Sequence, residues 1–160
     1  MKWMIASDVH GSAYYCKKLL EAFAQEGADR LVLLGDILYH GPRNDLPREY
    51  DPKQVTAMLN GCRDKILYCI LALDGRMIFA THGHVFNEKN LPMLKKGDIL
   101  LHGHTHVPAC REIEEIWYLN PGSVSMPKEE SVPGYMTLED GCFAWRDFEG
   151  HTLLTFVPGE

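Results

Sequence analysis

Four apolar runs of this chain end in the same kind of residue. MIAS leads into Asp8-Val9-His10, LVLLG into Asp36, MIFAT into His82-Gly83-His84, and ILLHG into His104-Thr105-His106. Carboxylate oxygens and neutral imidazole nitrogens together suit Mn²⁺, Fe²⁺ or Zn²⁺. The glycines among them, Gly11, Gly35, Gly83 and Gly103, let backbone approach closely. In ILLHGHTHVPA, His102, His104 and His106 take alternate positions, which face the same way on an extended segment. The donors outnumber those of one tetrahedral zinc, so the set points to two ions.

The donors must be brought together by the elements that carry them. Lys2 to Ser7 is almost wholly apolar, as in a strand covered on both faces. SAYYCKKLLEAFAQEG then spaces Cys16, Leu19, Leu20 and Phe23 for a helix that stops at Gly27. RLVLLGD is a second buried strand, completing a βαβ unit. Asp51-Pro52 caps and opens a helix through Val55, Met58, Leu59 and Cys62. KILYC and ILALDG read as parts of two strands, and Asp74-Gly75 turns the second into RMIFATHGH. A short helix is expected near Asn90 to Lys95, then the strand DILLHGHTH. EIWYLNPGS, GYMTLED, CFAWRDF and HTLLTFVP follow as short strands. In open α/β sheets, ligands sit beyond the carboxyl ends of the strands, which is where these Asp and His residues fall.

Composition narrows the function. With 160 residues, 46% of them apolar and 24% charged, one globular domain is expected. A net charge of -6 without a Lys/Arg-rich block argues against binding a nucleic-acid duplex. No segment is apolar for long enough to span a bilayer, and the N-terminal run is too short for a secretory signal. Five cysteines, an odd number without C-x-x-C spacing, read as buried thiols in a reducing cytoplasm rather than as a disulfide framework.

DVHG, LLGD, THGH and GHTH, in this order and on these strand ends, make the chain resemble the calcineurin-like metallophosphoesterase superfamily. HGPRN at His40 to Asn44 and NPGSVSMPK at Asn120 to Lys128 narrow the resemblance to the bacterial YfcE-type phosphodiesterases. The resemblance implies an α/β fold of two mixed β-sheets packed as a sandwich and flanked by helices. It implies two divalent ions, Mn²⁺ foremost, with Asp8, His10 and His106 on one, His82 and His104 on the other, and Asp36 bridging both. His102 and His84 align with no ligand of the family, which makes His102 a packed strand residue and sets His84 behind the ligands. The implied reaction is hydrolysis of a small phosphodiester by a hydroxide that bridges ions about 3.5–4 Å apart.

One part of the pattern is missing. The superfamily carries a G-N-C-D or G-N-H motif after its third core strand, and its Asn is a ligand. Here Asn60-Gly61-Cys62-Arg63-Asp64 precedes KILYC and reads as a helix stop. KILYC runs straight into ILALDG, as if a separating segment were absent. Leaving-group protonation then falls to His84 or a water. The loop YHGPRNDLP either shapes the substrate pocket, with His40, Arg43 and Asn44 contacting a phosphate or leaving group, or is a proline-stiffened surface loop. NPGSVS reads as a structural turn beside the site. The alternative to an enzyme is a phosphoesterase-fold scaffold that binds a partner protein, and apolar segments such as HTLLTFVP suit a homo-oligomer.

Overall fold

The computed structural model describes residues 1–41, 44–67, 70–73 and 75–159, with residues 67 and 70–73 given by their backbone alone. The chain opens with β1 (Trp3–Ala6), α1 (Ala13–Gln25), β2 (Arg30–Leu33), α2 (Pro52–Asn60) and β3 (Ile66–Leu67). Next come β4 (Ile70–Leu73), β5 (Arg76–Ala80), β6 (Ile99–Leu101), β7 (Ala109–Ile113) and β8 (Ile116–Asn120). It closes with β9 (Gly134–Glu139), β10 (Cys142–Asp147) and β11 (Thr152–Phe156). These strands form two mixed sheets, ordered β11-β10-β9-β1-β2-β3 and β4-β5-β6-β8-β7. β1 runs parallel to β2 and antiparallel to β9, while β6 runs parallel to both β5 and β8.

Alternation along β1 explains its unbroken apolar run. Ile5 packs between the sheets with Val32, Ile78, Leu101, Phe143 and Trp145, whereas Met4 and Ala6 face Leu19, Phe23 and Val55 of the two helices. Local chemistry sets the helix ends. Ser12 Oγ accepts the Tyr15 N–H at 3.2 Å, and Asp51 Oδ1 accepts the Gln54 N–H at 3.0 Å. The second helix stops at Gly61, one residue short of Cys62, which sits in the following turn.

KILYC and ILALDG do belong to different strands: β3 is an edge of the first sheet and β4 an edge of the second. Tyr68, Cys69 and Asp74 lie outside the described residues, as do Pro42 and Arg43. As expected, the helices lie outside the sandwich, both against the same outer face. One expectation is corrected. No helix forms at 90–95: Pro92 has no N–H to give, Asn87 and Asn90 exchange backbone hydrogen bonds at 3.1 Å, and Asp98 takes the Lys95 N–H at 3.0 Å. That irregular loop covers the other outer face instead, setting Leu91 and Leu94 against Leu100, Ile116 and Tyr118. Cys16, Cys62, Cys110 and Cys142 are free thiols, and burial pushes that of Cys16 up to about 12. Among the described residues no helix is long and apolar enough to cross a membrane.

Candidate metal centre

The Asp and His residues lie on the loops that follow β1 and β2 of the first sheet and β5 and β6 of the second, and these loops meet. Asp8, His10 and His106 each offer an atom within 4.8 Å of the other two, and so do Asp36, His82 and His104. The first trio is buried, whereas His104 is exposed and Asp36 and His82 are half-buried. The two trios adjoin, since His10 Nε2 lies 3.8 Å from Asp36 Oδ2 and the His104 N–H donates to Asp8 Oδ2 at 3.1 Å. A third trio, Asp147, Glu149 and His151, sits on a turn in which Asp147 is already engaged by the His151 ring and by two backbone N–H groups.

Proton bookkeeping in the first trio shows what it is built to hold. His10 Nδ1 lies 2.6 Å from the Tyr39 carbonyl, and His106 Nδ1 lies 2.7 Å from the Met126 carbonyl. A carbonyl only accepts, so each Nδ1 carries the hydrogen and each neutral Nε2 presents a lone pair. Those two Nε2 atoms are 3.1 Å apart, and Asp8 Oδ1 lies 3.5 and 3.4 Å from them. Asp8 Oδ1 is buried with no hydrogen-bond donor of its own. Three acceptors that converge in a dry place repel unless a cation or a proton sits among them, so the donor set fits a divalent metal. In the second trio, His82 Nε2 is 3.4 Å from Asp36 Oδ2 and 3.3 Å from His104 Nδ1.

Titration of the centre reflects the same crowding. Burial raises the Asp8 carboxyl, but the polar neighbours His10, Ser7, His106 and His82 outweigh it and leave Asp8 below its ordinary value. Burial lowers His10, but Asp8, the Tyr39 carbonyl and Asp36 raise it further, so His10 ends above the usual imidazole range. Burial prevails at His106 and His82, which end below that range despite the pull of Asp8. Without metal, therefore, His10 takes the proton of the facing pair.

The backbone is strained where the donors are. Asp8, His10, Asp36, His104 and His106 all have positive φ, from 46° to 69°, a region L-residues seldom occupy. Gly103 shows why a side chain is excluded between the loops: a Cβ there would collide with Ser7 Oγ and come within 2.8 Å of Asp8 Oδ2. Gly103→Ala is expected to destabilise the fold by about 1–3 kcal/mol. It is also expected to weaken metal binding through displacement of the Asp8 carboxylate. Thermal melting with and without Mn²⁺ separates the two losses.

His102 is buried, with Nδ1 3.1 Å from the Gly103 carbonyl, and belongs to neither trio. Burial lowers its pKa. His84 is exposed, its ring centroid 5.6 Å from that of His82 and 6.5 Å from that of His104. His40 also lies outside both trios. It is half-buried and packs edge-on against Tyr50 at 5.2 Å, while its carbonyl accepts from Asn44 Nδ2 at 2.9 Å. Arg43 is among the residues outside the description. Residue types alone gave no hint of the Tyr39 and Met126 carbonyls, which fix the imidazoles through backbone atoms, or of Asn120. Asn120 is buried, and its Nδ2 donates to the Gly103 carbonyl and to Thr105 Oγ1, both at 3.0 Å.

The sequence profile of the calcineurin-like phosphoesterase superfamily domain matches residues 1–140. The chain belongs to that superfamily. This phosphoesterase is 41% identical over 162 aligned positions to phosphodiesterase YfcE of Escherichia coli K12, which covers 88% of each chain. It is 26% identical to the probable metallophosphoesterase YsnB of Bacillus subtilis 168, covering 93% of this chain and 91% of the other. The solved structure of YfcE, described as a phosphoesterase from E. coli, superposes with a TM-score of 0.94 at 36% identity, covering 99% of this chain and all of that one. Since 88% of 160 residues is about 141, about 20 of the 162 positions aligned with YfcE are gaps on this chain's side.

Proposed function

We propose that the chain is a metal-dependent phosphodiesterase that hydrolyses a small phosphodiester at a two-ion centre, with Mn²⁺ as the metal of choice and Fe²⁺ or Zn²⁺ as substitutes. The observation that carries this reading is the convergence of the His10 and His106 Nε2 lone pairs on the donorless Asp8 Oδ1. Asp8, His10 and His106 hold one ion, His82 and His104 the other, and Asp36 reaches toward both. Ions held there would supply Lewis acidity toward water and offset negative charge on the phosphoryl oxygens. The chain's own part is to keep the imidazoles neutral and oriented. The Tyr39 and Met126 carbonyls do this for His10 and His106. His84, exposed beside His82, is our candidate, with a water as the alternative, for passing a proton to the leaving group. The loop that begins at Tyr39 is bonded at its root to His10, so His40 and Arg43 are our candidates for contacting the leaving group. Family and composition support action in the cytoplasm on a small molecule, with neither a membrane nor a nucleic-acid duplex as partner. Strand β11 is a sheet edge with Leu153 and Leu154 exposed, which supports pairing with a second copy of the chain; sedimentation as a strict monomer would contradict it.

The test is hydrolysis of an activated aryl phosphodiester by chelator-treated protein, without and with added Mn²⁺. Turnover that appears only with metal is expected; metal-independent turnover contradicts the reading. A second reading draws on the gaps against YfcE and on the missing G-N-C-D motif: a phosphoesterase-fold scaffold with a weakened centre that binds a partner protein. Folded protein that takes up no metal and shows no turnover would favour it.

A further inference from the structure

The turn from Asn120 to Met126 supplies no atom to either trio, yet it is bonded to the loops that do. Ser123 is fully buried and donates its hydroxyl to the Asp8 carbonyl at 2.9 Å. The same oxygen accepts the N–H of Ser125 at 3.3 Å and of Met126 at 2.9 Å. Ser125 Oγ donates to the Asp8 carbonyl as well, at 3.1 Å, and the Val124 N–H donates to the Ser7 carbonyl at 3.0 Å. Two donors on one carbonyl use both its lone pairs. They hold Asp8 at a φ of 59°, a conformation that persists only where its surroundings fix it. Met126, tethered through its N–H to Ser123, presents the carbonyl that accepts from His106 Nδ1. One hydroxyl thus links the backbone of Asp8 to the group that orients His106, two of the three donors in the buried trio. Among the described residues, neither serine bonds to Asp36, His82 or His104.

We infer that Ser123 is a positioning residue for the ion held by Asp8, His10 and His106, acting through the Asp8 backbone and the His106 ring and not on the Asp36 trio. Without its hydroxyl, the buried Asp8 carbonyl keeps only Ser125 Oγ as a donor, and the half-buried Met126 N–H loses its partner. Asp8 is then free to leave its strained conformation, and the Met126 carbonyl to turn away from His106. This inference rests on the reading of the two trios as a metal centre.

Calorimetric titration of the metal-free full chain with Mn²⁺ tests it in two backgrounds. In His104→Ala, the remaining tight step reports on the buried trio, and Ser123→Ala is expected to weaken it about 10–100-fold. In His10→Ala, the remaining step reports on the Asp36 trio, which meets Asp8 only through the His104 N–H, and Ser123→Ala is expected to weaken it far less. Ser125→Ala, which removes only one of the two donors to Asp8, is expected to weaken the first step by less, and it serves where the Ser123 variant does not fold. An unchanged first step, or equal losses in the two backgrounds, overturns the inference. So does a lower melting temperature with both affinities intact, the mark of a merely structural serine. Wild-type protein that takes up no Mn²⁺ overturns the metal reading itself, which keeps the two failures apart.

Discussion

Asp8→Asn is expected to lower phosphodiester turnover by about 10³-fold or more, equivalent to losing several kcal/mol of transition-state stabilisation. It is also expected to leave the metal-free chain folded: the lost pairing of the carboxylate with His10 is offset in part by an amide NH₂ that can donate to His106 Nε2, which lies 3.4 Å from Asp8 Oδ1. The other amide atom remains an acceptor for the His104 N–H, which the Asp8 carboxylate now takes at 3.1 Å. Asn also tolerates the left-handed backbone of position 8. Loss of activity with an intact fold is what distinguishes a metal ligand from a packing residue. Turnover near the wild-type rate would remove Asp8 from the centre.

Metal is expected to stabilise the chain strongly, and the effect should fade in acid. Saturating Mn²⁺ at about 100 times its dissociation constant adds about 2.7 kcal/mol per ion. Bound imidazoles must be neutral, and His10, held above its ordinary value, gives up a proton when the metal enters. Metal uptake near neutral pH should therefore release protons, and the shift in melting temperature should shrink as pH falls through the raised His10 value.

The metal-free chain has its own pH signature. His82 and His106 are depressed, so their contribution to stability is complete above the ordinary imidazole value of 6.5 and is lost as pH falls through their folded values. His10 has the opposite sign: its contribution is present below 6.5 and lost as pH rises through its folded value. Asp8 matters only in strong acid, its contribution being lost below the ordinary carboxylate value of 3.8. Melting curves across pH, with and without Mn²⁺, check all of these signs. A metal-induced shift that stays constant down to pH 5 would contradict them.

Much of the fold could be read from local signals. Ser12 and Asp51 start helices because their side chains answer open N–H groups, and Met4, Ile5 and Ala6 are all buried because both faces of β1 are covered. The segment 90–95 misled because its apolar spacing suits a helix, while Pro92 and the Asp98 carboxylate favour an irregular loop held by side-chain bonds. The covering of the other outer face was harder to read, since the apolar loop that packs there has no helical period. Residue types marked the two trios, because Asp and His recur after apolar strands. Their positive φ values and fixed tautomers were out of reach. Both depend on backbone carbonyls at Tyr39 and Met126 and on hydroxyls at Ser123 and Ser125, atoms whose aim emerges only when the two sheets close on each other.

The central claim is that two groups of side chains, Asp8 with His10 and His106 and Asp36 with His82 and His104, form a centre for divalent metal. Equilibrium dialysis of the chelator-treated chain against Mn²⁺ near neutral pH, followed by elemental analysis, counts the ions directly. Two ions per wild-type chain are expected, with the ion of the buried trio lost in Asp8→Asn. A folded wild-type chain that retains no metal at saturating Mn²⁺ would contradict the account.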